Sequence, residues 1–96
     1  MNVTLYEEIV VRIIREQELV IGPLAWVEAA KVQGLQVIDQ RAGTILFTDA
    51  SQGAVVDRLI AQYERLFGRA SHQVSKDAVK GLIANMLPAE IPESLR

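Results

Sequence analysis

Two hydrophobic periods alternate along this chain, and the points where one gives way to the other mark its elements. Tyr6, Ile9, Val10, Ile13 and Ile14 recur at the spacing of one helical face, while Glu8, Arg12 and Glu16 follow one another at i, i+4 on the opposite side. Thr4 and Glu7 stand in the order of a capping box, which places the start of this helix at residue 4 or 5. Gly22-Pro23 ends it near Leu19 to Ile21 and opens a second helix through Leu24, Trp26, Val27, Ala30 and Val32, closed by Gly34.

From Leu35 to Thr48 the period shortens to strand alternation. Leu35-Gln36-Val37 and Ile45-Leu46-Phe47-Thr48 flank the turn-like Asp39-Gln40-Arg41-Ala42-Gly43, a pattern that predicts a β-hairpin. Leu35, Val37, Ile45 and Phe47 then share the inner face, which leaves Ile38 and Leu46 on the outer one, where a two-stranded ribbon normally meets water. A cover for that second face is therefore expected, as is packing of the hairpin on helices or on another copy of the chain.

Helical spacing resumes after Asp49 and Ser51, either of which can cap a third helix carrying Val55, Val56, Leu59, Ile60, Tyr63, Leu66 and Phe67 as far as Gly68. Ser71 is the expected cap of a fourth helix, with Val74, Ala78, Leu82 and Met86 in one row, Val79 and Ile83 beside it, and an end before Pro88. The pattern predicts an α+β fold in the order helix, helix, hairpin, helix, helix (ααββαα). Residues 1–88 form a single compact domain in this reading, with the third and fourth helices over the hairpin and the first helix closing the core. Residues 89–96 are expected as an extended, partly disordered tail that Ile91 and Leu95 could anchor.

The chain has 96 residues, half of them hydrophobic, so a true core is within reach without disulfides or metals. It has no cysteine, which removes disulfides, thiolate nucleophiles, iron–sulfur clusters and thiolate zinc sites; a reducing, cytoplasmic location is the corresponding expectation. Polar Asn2 and the charges at Glu7, Glu8, Arg12, Arg15 and Glu16 leave no apolar signal region, so secretion is not expected. Apolar runs such as Leu19-Val20-Ile21 and Ile45-Leu46-Phe47 fall far short of the roughly 20 residues of a membrane span, so no membrane partner is expected. A net charge of -2 argues against a uniformly nucleic-acid-binding surface.

Catalytic chemistry finds little to work with. One histidine, six dispersed glycines and carboxylates at caps or exposed helix positions make neither a triad nor a phosphate loop, so no enzyme activity, cofactor or metal is expected. Glu16 and Glu18 straddle Gln17 and point in different directions on a helix. The stretch Ala70-Ser71-His72-Gln73-Val74-Ser75 resembles the phosphoacceptor box of sensor histidine kinases, with Gln73 in place of the acid and no following proline. That resemblance implies a phosphate-receiving role for His72. Gly22 to Leu35, above all Glu28-Ala29-Ala30-Lys31-Val32-Gln33-Gly34-Leu35, resembles the first helix and turn of helix-turn-helix DNA-binding proteins. The resemblance implies a DNA-binding regulator, although strand-like residues stand where a polar recognition helix would follow. Arg69, His72, Lys76 and Lys80 are spaced to form one basic strip, suited to phosphate or an acidic partner.

The apolar excess is more telling. Leu5, Ile9, Val11 and Ile13 lie on more than one side of the first helix, Trp26 is a large aromatic on the second, and Ile38 and Leu46 lie on the outer hairpin face. These seven are the interface candidates. The resulting expectation is a non-catalytic protein-protein interaction or regulatory module that forms a homo-oligomer or binds a partner protein. A helix-turn-helix regulator is the alternative, and a His72 phosphoacceptor domain the third reading.

Overall fold

A computed structural model describes residues 4–96. Four helices and a two-stranded antiparallel hairpin follow one another as expected from the periodicity, giving an α+β fold. Helix α1 (Leu5–Ile21) begins where the Thr4 hydroxyl accepts the Glu7 N–H at 3.1 Å and ends where the Gly22 N–H reaches back to the Glu18 carbonyl. Its inner face buries Ile9, Val10, Ile13, Ile14 and Gln17. Helix α2 (Leu24–Ala29) is shorter than the apolar spacing suggested. Beyond Ala29 the bonds tighten to i→i+3, from Lys31 to Glu28 and from Val32 to Ala29, and this narrower turn lets both Val32 and Leu35 enter the core.

Strands β1 (Leu35–Asp39) and β2 (Thr44–Phe47) pair Leu35 with Phe47, Gln36 with Leu46 and Val37 with Ile45. An irregularity between Val37 and Asp39 shifts the register, so Asp39 faces Thr44. The Asp39 carboxylate accepts the N–H groups of Arg41 and Ala42 at 3.0 and 3.2 Å, which fixes the turn. Leu35 and Ile45 face inward and are buried, as the alternation requires, whereas Ile38 and Leu46 are 54% and 51% exposed.

Helix α3 (Gln52–Phe67) starts after Ser51, whose hydroxyl makes no capping bond; the Asp49 carboxylate instead accepts the Ser51 N–H at 2.9 Å. Helix α4 (Arg69–Ile83) follows Gly68 directly and so begins before the expected Ser71 cap. Ser71 and Ser75 are buried instead, because they receive the amide of Gln17: its Nε2 lies 2.9 Å from the Ser71 carbonyl and 3.1 Å from Ser75 Oγ. Each polar side chain makes the others tolerable in the α1–α4 interface.

The layering differs from the expected one. Helix α1, not the α3–α4 pair, is the centre: it packs against α2, α3, α4 and β2, while β1 rests on α2. The physical cause lies partly at Gly43, where the chain takes a positive φ of 71° and a Cβ would stand only 2.7 Å from Arg15 Nη2 and 3.1 Å from Val11 Cγ1. Without that Cβ the turn settles directly onto α1. Trp26, Val55, Val56, Leu59, Ile60, Tyr63 and Val79 complete the core, and the Tyr63 hydroxyl donates to the Ala25 carbonyl at 2.6 Å.

Residues 88–96 do not trail. They wind into two 3₁₀ turns, Pro88–Glu90 and Glu93–Leu95, and the second packs on α3 with Leu95 buried. Polar bonds hold what periodicity does not reveal: Asp57 accepts from both the N–H and the hydroxyl of Ser94, and the Tyr6 hydroxyl donates to the Glu90 carbonyl. Arg96 closes the tail on itself through the carbonyls of Ile91 and Pro88.

Candidate functional site

The hairpin lies beside α1, and a groove of about 620 Å³ runs between them along Glu7 to Arg15. Val11 and Ile45 are apolar residues along it, Ile38 and Leu46 stand on the hairpin side, and Glu7, Glu8, Arg12 and Arg15 line the helix side. Among the described residues nothing covers Ile38 or Leu46, although the outer-face pattern predicts a cover. Arg15 is already placed: its guanidinium carbon sits 5.7 Å from the centre of the Trp26 ring, and Nη2 approaches the Arg41 carbonyl at 3.4 Å. Glu8 and Arg12 lie 3.7 Å apart as an exposed i, i+4 pair. Acid therefore precedes base along the groove wall, with the two signs about one helical turn apart.

The seven interface candidates divide. Val11, Ile38 and Leu46 come together in this groove, and Leu5 is exposed near the start of the same helix. Ile9, Ile13 and Trp26 are core residues and offer no outer surface, a correction that follows from the helical wheel. Ile9 and Ile13 belong to the same buried stripe as Val10 and Ile14, and Trp26 is held between α1 and the rest of the core under Arg15.

The basic-strip candidates share one helix but not one open surface. Arg69 and Lys80 are exposed, whereas His72 and Lys76 are partly buried and face the C-terminal turns. His72 Nδ1 lies 2.8 Å from Glu64 Oε2, and Nε2 lies 2.7 Å from the Ser94 carbonyl. Both partners are acceptors, so only the doubly protonated ring donates to both at once. Phosphoryl acceptance at either nitrogen requires that one of these contacts be displaced. Lys76 Nζ approaches the Arg96 carbonyl at 3.5 Å.

Three groups away from the groove are held away from their ordinary ionisation. Glu28 is lowered by its contacts with the Lys31 ammonium at 3.0 Å and the Gln62 amide at 2.8 Å. Asp49 is lowered by the Ser51 N–H and then by Arg58, 3.1 Å away. Burial pushes the Tyr63 hydroxyl well above its usual value, and the nearby Glu28 charge adds to the effect. Glu28 and Asp49 owe their shifts to hydrogen bonds and ion pairs, and Tyr63 owes its shift to burial in the core.

A second apolar surface was not anticipated. Leu19, 79% exposed, and Val20 rise beside Val74 and Ala78 in a shallower depression between the end of α1 and α4. The available signal for Leu19 was its phase: on a helix it falls on the same side as Arg12 and Glu16 rather than with Ile13 and Ile14. As for the helix-turn-helix resemblance, the residues after Gly34 form β1, so the likeness stops at the first helix and turn. Among the described residues, no three histidine, aspartate or glutamate side chains converge as a metal site, and no helix is long and apolar enough to cross a membrane. This chain matches no protein-family model, no curated protein and no solved structure in the comparisons made.

Proposed function

We propose that this chain is a non-catalytic interaction or regulatory module that docks another protein chain, a second copy or a partner, across the groove between α1 and the hairpin. The observation that carries the reading is the pairing of exposed Ile38 and Leu46 with Val11 in a single charged-rimmed groove. Covering such side chains gains about 25 cal/mol per Å² of apolar surface removed from water. An apolar centre with ionic side chains at its edge is also the usual anatomy of a protein interface.

The test uses a displayed library of random dodecapeptides selected on the full chain, together with light scattering of the chain alone. Ile38→Asp and Leu46→Asp place a charge on the outer hairpin face without touching the core, so their melting temperatures should stay near that of the parent. The expected result is that selected peptides, self-association, or both, are lost in the two variants. A chain that stays monomeric, and whose selected peptides bind both variants as well as the parent, would overturn the reading.

A further inference from the structure

We infer that the occupant of the groove is a second copy of this chain, docked about a two-fold axis that crosses α1 between Val11 and Arg12. The inference rests on the interaction reading above and deepens it by naming the partner and its orientation.

The argument starts from the order of charges. Along the groove wall Glu7 and Glu8 come first, and Arg12 and Arg15 follow about one turn later. A two-fold interface brings the same patch of both copies together with its direction reversed. Val11 and Arg15 are one turn apart, as are Glu8 and Arg12, so reversal about this axis sets Glu8 of one copy opposite Arg15 of the other, twice. Glu8 at the acidic end of each groove thus meets Arg15 at the basic end of its mate, while exposed Arg12 lies beside its own mate next to the axis and stays at the solvated edge. The axis passes beside the apolar Val11, and Ile38 and Leu46 of each copy close the sides.

Arg15 is suited to this role because the Trp26 ring and the Arg41 carbonyl already orient its guanidinium, so little side-chain freedom remains to be lost on pairing. Glu8 carries only the weak pairing with Arg12 expected of an exposed helix pair, and it can exchange that contact for a better one. A peptide partner would need the opposite charge order in the same length of backbone. A second copy has it by symmetry.

The experiment reverses each end separately. One variant carries Glu7→Lys and Glu8→Lys; the other carries Arg12→Glu and Arg15→Glu. Because Arg15 also supports the hairpin turn, a further version, Arg12→Glu with Arg15→Gln, keeps a donor there, and circular dichroism checks that every variant is folded. Sedimentation equilibrium should show the parent dimerising, and each double charge reversal alone dimerising at least about tenfold more weakly, since like charges then face each other at positions 8 and 15; the version with Arg15→Gln loses the attraction only and should weaken less. An equimolar mixture of the acidic-end and basic-end variants should recover pairing to within about threefold of the parent, and high salt should weaken that heterodimer.

A parent dimer indifferent to both reversals, or variants that the mixture does not rescue, would overturn the two-fold arrangement. A monomeric parent whose selected dodecapeptides still depend on Ile38 and Leu46 would overturn the second copy as occupant while leaving the interaction reading in place.

Discussion

Removing one oxygen from Tyr63 should make the protein less stable at neutral pH and relatively more stable in strong base. The Tyr63 side chain is fully buried, and its hydroxyl donates to the Ala25 carbonyl at 2.6 Å, joining α3 to α2. Tyr63→Phe loses that bond, at a net cost of about 0.5–1.5 kcal/mol at pH 7. Above pH 10 a second effect enters. Burial, and then the charge of Glu28, hold the folded hydroxyl protonated well beyond its ordinary range, whereas the unfolded tyrosine ionises near its ordinary value of 10.0. The stability from the neutral hydroxyl is therefore fully present below pH 10 and declines as pH rises beyond it, because ionisation favours the unfolded chain. Each further pH unit removes about 1.4 kcal/mol from the parent and nothing from Tyr63→Phe. The two stabilities should meet between about pH 10 and pH 11, where the linkage loss equals the lost hydrogen bond. Urea unfolding followed by far-ultraviolet circular dichroism from neutral pH into base measures both, and subtracting the curves cancels Tyr6 and the lysines. A gap between parent and variant that stays constant above pH 10 would refute the argument.

Other consequences follow from the same bonds. Gln17→Leu should cost about 1–3 kcal/mol in urea unfolding, because it strips the buried Ser71 carbonyl and the Ser75 hydroxyl of their shared donor; adding Ser75→Ala should not recover the loss, because the Ser71 carbonyl then loses the Ser75 hydroxyl as well. Glu28 and Asp49 both titrate lower in the fold than in the unfolded chain, so their contribution is present above the ordinary carboxylate range and is lost as pH falls through it toward their folded values. Glu28→Gln with Asp49→Asn should flatten that part of the acid-unfolding curve, and an unchanged acid limb would contradict the assignment. Gly43→Ala should cost about 1–2 kcal/mol from its positive φ alone. Its new methyl group would also press on Arg15 and Val11, so crystallography should show the turn lifted from α1.

How far the sequence led depended on which physical signal an element used. Apolar spacing placed α1 and α3 because their buried faces are continuous, from Ile9 to Ile14 and from Val55 to Tyr63. Alternation placed the hairpin and assigned Ile38 and Leu46 to the open face. Polar burial defeats the same reasoning: Gln17, Ser71 and Ser75 look like solvent-facing or capping residues until α1 and α4 are brought together, so α4 begins earlier than a Ser71 cap predicts. The C-terminal turns were missed because Ser94, Glu90 and Arg96 dock through individual hydrogen bonds, which leave no period to detect. At the groove, the apolar residues could be read one by one. The order of Glu7, Glu8, Arg12 and Arg15 along one wall acquires meaning only once the hairpin lies beside them.

The most direct measurement is an amide spectrum of isotope-labelled protein titrated with unlabelled protein. The groove account predicts shifts and line broadening confined to Glu7 through Arg15 and to Ile38 through Leu46, with the middle of α3 unmoved. Changes centred instead on Leu19, Val20 and Val74, or a spectrum independent of concentration, would contradict a second copy docked in the groove.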